Sequence, residues 1–91
     1  MPPGPYRIEW TATAKRGLTQ LPEKAATAVV EFVYGALAES PRRIGHELNL
    51  ELAGRHSARR GSFRIIYLID DDARRVVITD VNHRRDVYRR R

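Results

Sequence analysis

Phe63-Arg64-Ile65-Ile66-Tyr67-Leu68-Ile69, followed by Asp70-Asp71-Asp72 and then Val76-Val77-Ile78-Thr79-Asp80-Val81, is the stretch that decides the fold. The first run alternates. Phe63, Ile65, Tyr67 and Ile69 fall on one face of a strand, and Arg64, Ile66 and Leu68 on the other. The aspartates fold their short side chains back onto their own backbone and make a turn. The second run, rich in β-branched residues, returns as a strand over 76–81. Upstream, residues 55–60 read as a further strand, joined to Phe63 by a tight turn at Gly61-Ser62. Three consecutive strands with short turns make an antiparallel meander.

Toward the N-terminus the period changes. Tyr6, Ile8 and Trp10 alternate with Arg7 and Glu9, which predicts a half-buried first strand. Thr11 or Thr13 can cap a short helix running to about Leu21. Pro22 suits the first position of a second helix, where its missing N–H costs nothing. Val29, Phe32, Val33, Ala36 and Leu37 recur at helical spacing and form one apolar stripe; Ser40-Pro41 ends it. Residues 42–54 read as irregular, with Leu48, Leu50 and Leu52 alternating up to Gly54. The order β-α-α-β-β-β implies the α+β class, with an N-terminal helical hairpin packed on one face of an antiparallel sheet.

The chain has 91 residues, enough for one domain over 1–91, and 42% apolar content fills one core. Met1-Pro2-Pro3-Gly4-Pro5 reads as a disordered start. With no cysteine there is no disulfide framework and no thiolate metal site. His46, His56 and His83 have no ligand spacing, so neither metal nor cofactor is expected. Residues 25–38 are interrupted by Thr27, Glu31 and Gly35 and are too short and polar to span a bilayer. No signal peptide is evident. A cytoplasmic protein with no membrane partner is expected.

Charge is segregated. Residues 1–54 hold six Lys/Arg and six Asp/Glu, while residues 55–91 hold eleven Arg and five Asp, so the whole net charge of +6 lies in the second part. Arginine outnumbers lysine fifteen to two; its guanidinium is always charged and grips phosphate through two parallel hydrogen bonds. Such a surface suits a polyanion, with a merely solvated basic face as the plain alternative. Arg55, Ser57 and Arg59 project to one side of their strand, and Arg64 projects away from the Phe63 face. Antiparallel order brings Arg64 toward His83 and Arg84, which predicts one arginine-lined concavity. His83 is the nearby side chain suited to acid–base work, or else a strand-end histidine that hydrogen-bonds backbone.

Two segments resemble a known family. Arg59-Arg60-Gly61-Ser62-Phe63-Arg64-Ile65-Ile66-Tyr67 is similar to the pattern R-x-G-x-[YF]-R-h-h-Y, with h hydrophobic, and His83-Arg84-Arg85-Asp86-Val87-Tyr88 to the closing H-R-x-x-V-Y. Both belong to the RelE/ParE superfamily of bacterial toxins, whose length and element order this chain also resembles. The resemblance implies the RelE-like fold and the toxin role in a type II toxin–antitoxin system. RelE-like members cut mRNA on the ribosome without a metal; ParE-like members inhibit DNA gyrase and cleave nothing; a degenerate member would only bind antitoxin and operator. Carried over by position, Arg64 contacts the scissile phosphate, Arg84 stabilises charge there, and Tyr88 stacks on or orients the nucleotide. Arg55 and Ser57 stand where the best-known RelE members carry lysines, so the proton acceptor is not assigned. Arg59, Arg60, Arg85, Arg89 and Arg90 are the expected RNA-holding residues. The implied partners are a RelB-like antitoxin, the 70S ribosome with mRNA, and operator DNA through the antitoxin complex.

Overall fold

The computed structural model describes residues 5–48 and 54–83. The elements run β1 (Arg7–Trp10), α1 (Ala12–Thr19), α2 (Glu23–Phe32, continued by a π-helical turn over Val33–Leu37), α3 (Pro41–Ile44), β2 (His46–Glu47), β3 (Arg55–Arg60), β4 (Phe63–Asp70) and β5 (Arg75–His83). The sheet order is β1-β5-β4-β3-β2. The α+β architecture and the β3-β4-β5 meander are those expected. The sheet is not wholly antiparallel, however: β1 lies parallel to β5, from Arg7 opposite Arg75 to Trp10 opposite Ile78. Tight turns force antiparallel pairing. β1 reaches β5 through helices and three strands, which leaves its direction free.

One face of the sheet is covered by helix. Ala14 of α1 and Val29, Val33 and Leu37 of α2 are fully buried against Ile65, Tyr67, Val76 and Ile78, with Ala58 and Val81 nearly so. The α2 stripe is not quite the expected one. Ala36 is exposed and Ala38 is buried. The π-turn adds a residue to one helical turn and rotates the stripe past it. Pro22 precedes the helix instead of starting it: its ψ of 150° is extended, and its carbonyl accepts from Ala26 N–H at 2.9 Å.

β5 contains a bulge. Ile66 lies opposite Asp80 and Tyr67 opposite Ile78, so Thr79 is an extra residue. Its carbonyl accepts from the Thr11 hydroxyl at 3.1 Å, and Thr11 Oγ1 in turn accepts from Ala14 N–H at 3.1 Å as the α1 cap. One threonine therefore starts α1 and ties it to the irregularity in β5. The strand is also longer than 76–81, beginning at Arg75 and carrying Asn82 and His83.

Residues 42–48, expected to be irregular, instead hold most of α3 and all of β2. The Tyr67 hydroxyl, buried in the core, donates to the Pro41 carbonyl at 2.6 Å. At Gly45 an added Cβ would collide with the Tyr67 hydroxyl and the Ser57 carbonyl. The missing side chain lets the chain pass close to β3, where His46 pairs with Ser57 and Glu47 with His56. Leu50 and Leu52 lie outside the described residues.

Candidate functional site

Residues opposite one another in adjacent strands point to the same side of a sheet. By the β3–β4 register, Arg55, Ser57 and Arg59 share a face with Leu68, Ile66 and Arg64. This is the face opposite the buried set Ala58, Ile65 and Tyr67, and among the described residues α1 and α2 lie on the other side. Arg59 and Arg64 are direct cross-strand partners. Among the described residues the guanidiniums of Arg55, Arg59 and Arg64 make no ion pair. Two like charges placed opposite one another repel, so this end of the sheet, with three arginines on the face against the single carboxylate of Asp80 on β5, holds a net positive field. A depression of about 240 Å³ lies between them, lined by Ile44, His46, Ser57, Ala58, Arg59 and Arg64.

The other end of the same strands is neutralised. Arg42 bonds Asp71 at 2.7 Å, and Arg75 reaches Asp70 at 3.1 Å and Glu9 at 3.4 Å. Tyr6 donates to Asp71 at 2.7 Å with the Arg74 guanidinium 4.1 Å over its ring. The Arg42 and Tyr6 hydrogen bonds hold the Asp71 carboxyl down at about 2. β4 separates Arg64 from Asp70 by about 20 Å at 3.3 Å per residue. The acids of the β4–β5 turn are thus paired at one end, while at the other Arg55, Arg59 and Arg64 make no ion pair and Asp80 of β5, opposite Ile66, is the acid on their face.

The sequence-derived candidates divide. Arg55, Arg59 and Arg64 share the open face. Arg60 pairs with Phe63 and therefore points to the helix side. His83 does not join Arg64 in a common concavity. It lies opposite Phe63, its ring meeting the Phe63 ring edge-on at 5.1 Å. With Gly17, Gln20, Leu21, Pro22, Phe63 and Val81 it borders a separate cavity of about 350 Å³ under the helical hairpin. The Thr79 bulge is the cause: it shifts the alternation by one, turning Val81 and His83 inward and Asp80 and Asn82 outward. Arg84, Arg85, Tyr88, Arg89 and Arg90 lie outside the described residues. His56 stacks on Tyr67 at 5.7 Å, and burial lowers its pKa. His46, which sequence spacing did not single out, stands in the arginine-lined depression; its signal was its place five residues past Pro41 and beside Gly45, legible only once β2 is known. Among the described residues no three His, Asp or Glu side chains are grouped to hold a metal ion, and no helix is long and apolar enough to cross a membrane.

The family model for the ParE toxin of type II toxin–antitoxin systems matches residues 8–88. The chain is 51% identical over 86 residues to toxin RelG of Mycobacterium tuberculosis, covering 94% of this chain and 99% of that protein. It is 51% identical over 85 residues to toxin RelE of the same organism, covering 93% and 88%. Its structure is similar to the RelBE2 toxin–antitoxin complex of M. tuberculosis at a TM-score of 0.86, with 50% identity over 88% of this chain and 92% of the matched one. The isolated E. coli RelE toxin gives a TM-score of 0.71 at 15% identity over 86% and 83%, a likeness of fold alone. Sequence and fold agree over nearly the whole chain, which belongs to the RelE/ParE superfamily of toxins from type II toxin–antitoxin systems.

Proposed function

We propose that this toxin is a metal-independent endoribonuclease that cuts mRNA on the ribosome and so arrests translation. The observation that carries the reading is the Arg59–Arg64 pair, two guanidiniums set opposite each other on a sheet face that no described helix covers, with no ion pair among the described residues. A phosphodiester between them relieves the repulsion and takes up their donors. RNA cleavage by the neighbouring 2′-hydroxyl requires in-line positioning and stabilisation of the charge that builds on phosphorus. These two effects provide most of the acceleration in such sites. Arg64 contacts the scissile phosphate, with Arg55 and Arg59 beside it. Arg84 and Tyr88 act from the C-terminal segment, and Arg85, Arg89 and Arg90 hold the RNA backbone, while Arg60, turned to the helix side, takes no part on the open face. His83, packed on Phe63, supports the end of the sheet.

The ribosome positions the substrate, a RelB-like antitoxin neutralises the arginine face, and the pair binds operator DNA. The family description as ParE supports a second reading, a gyrase inhibitor without nuclease activity. Induction of the toxin followed by mapping of mRNA 5′ ends separates them. Cuts phased with codons in translated messages are expected; intact messages with a DNA-damage response would establish the second reading.

A further inference from the structure

We propose that His46 is the general base of this cleavage, accepting the proton of the attacking 2′-hydroxyl; the inference rests on the ribonuclease reading above. Guanidiniums stabilise charge but accept no proton near neutrality. A serine such as Ser57 is a poor base without a partner of its own. The depression therefore needs a proton acceptor beyond its arginines, and His46 is the imidazole that lines it.

The geometry fits one phosphodiester. His46 lies opposite Ser57, and Ser57 opposite Ile66, so all three share the open face with Arg59 and Arg64. Two strand spacings across and two residues along separate the His46 and Arg64 backbones by about 12 Å. An imidazole from one side and an extended guanidinium from the other narrow that gap to the size of a phosphate with its ribose. Ser57 between them is 4% exposed and small, which keeps the floor hollow. The His46 side chain is exposed and has no hydrogen-bond partner among the described residues, so its ring is available to substrate. Its backbone is anchored from the core: Tyr67 holds α3 through Pro41, and Gly45 allows the close approach to β3. The charged groups on the elements around it are Arg55 and Arg59 of β3, Arg64 of β4, and Arg42 and Arg43 of α3, with Arg42 engaged by Asp71. Glu47 is on the opposite face, paired with His56.

In the step, the 2′-oxygen gives its proton to a His46 ring nitrogen and its electron pair to phosphorus. The bond from phosphorus to the 5′-oxygen breaks, and that oxygen keeps the electron pair and takes a proton from solvent water. The products are a 2′,3′-cyclic phosphate and a 5′-hydroxyl, and the imidazolium returns its proton to the hydroxide left in water.

The test is single-turnover cleavage of mRNA on programmed ribosomes by the full-length toxin. His46→Gln is expected to slow the step by about 10²–10⁴-fold with ribosome binding unchanged, while Glu47→Gln cleaves like the wild type. A message carrying sulfur in place of the leaving 5′-oxygen needs no proton there, so the His46→Gln defect should persist on it; a defect that vanishes overturns the base assignment. Cleavage by His46→Gln within a few-fold of wild type, with Arg64→Ala inactive, overturns the inference and leaves the nuclease reading standing. A wild-type toxin that cuts nothing on the ribosome overturns both.

Discussion

The Tyr67 ring fills the centre of the core while its hydroxyl ties α3 to the sheet. Tyr67→Phe keeps the ring and leaves the Pro41 carbonyl buried and unpaired, a loss of about 1–3 kcal/mol that denaturant unfolding would register. Burial pushes the Tyr67 hydroxyl up to about 12, from 10.0. A folded-state value above the unfolded one means that this stabilisation is complete below pH 10 and is lost as pH rises through 12. Wild-type stability should therefore fall across that window, and Tyr67→Phe should flatten the fall. His83 gives the opposite kind of prediction. Packed edge-on against Phe63 on the helix side, it should tolerate replacement by Gln with only a few-fold loss of cleavage on ribosomes. A loss of about 10² or more would return it to the chemistry. The two histidines also show what sequence could reveal. Residues 63–69 alternate without interruption, so the outward direction of Arg64 was legible. One unpaired residue at Thr79 reversed the parity of β5 and, with it, the side on which His83 stands. His46 was invisible because a two-residue strand has no period to read.

At the scale of elements, the seating of α1 on β5 sets the bulge and hence the faces of both sheet ends. Thr11 supplies it at one point, and Gly17 at another, where an added Cβ would collide with the Val81 carbonyl. Alanine is the better helix former by about 1 kcal/mol, yet Gly17→Ala should lower the melting temperature by several degrees because α1 must lift from the strand. Gly35→Ala, whose Cβ would meet open space, should leave it unchanged or raise it. Equal effects at the two positions would show that helix propensity, not close approach, governs. The helical stripe and the meander were legible from spacing because burial enforces them. The π-turn, the short β2 and the parallel direction of β1 depend on contacts between distant segments, which no local pattern carries.

Across the whole molecule, charge is sorted by the length of the strands. Acids of the β4–β5 turn pair with Arg42 and Arg75 at one end, and Arg55, Arg59 and Arg64 make no ion pair among the described residues at the other. An acidic segment of the antitoxin laid across the second end would cancel the field and block RNA. Its affinity should then fall steeply between about 50 mM and 500 mM salt, mainly through faster dissociation and slower capture. A salt-independent complex would place the antitoxin elsewhere. The most direct measurement of the central claim is cleavage by the purified toxin of ribosome-bound mRNA, set against the same naked RNA in EDTA, for wild type and Arg64→Ala. Wild type should cut the ribosome-bound message and leave naked RNA nearly intact, and Arg64→Ala should lose about 10²-fold or more while keeping its fold. Rapid metal-dependent cutting of naked RNA, or full activity in Arg64→Ala, would contradict the claim.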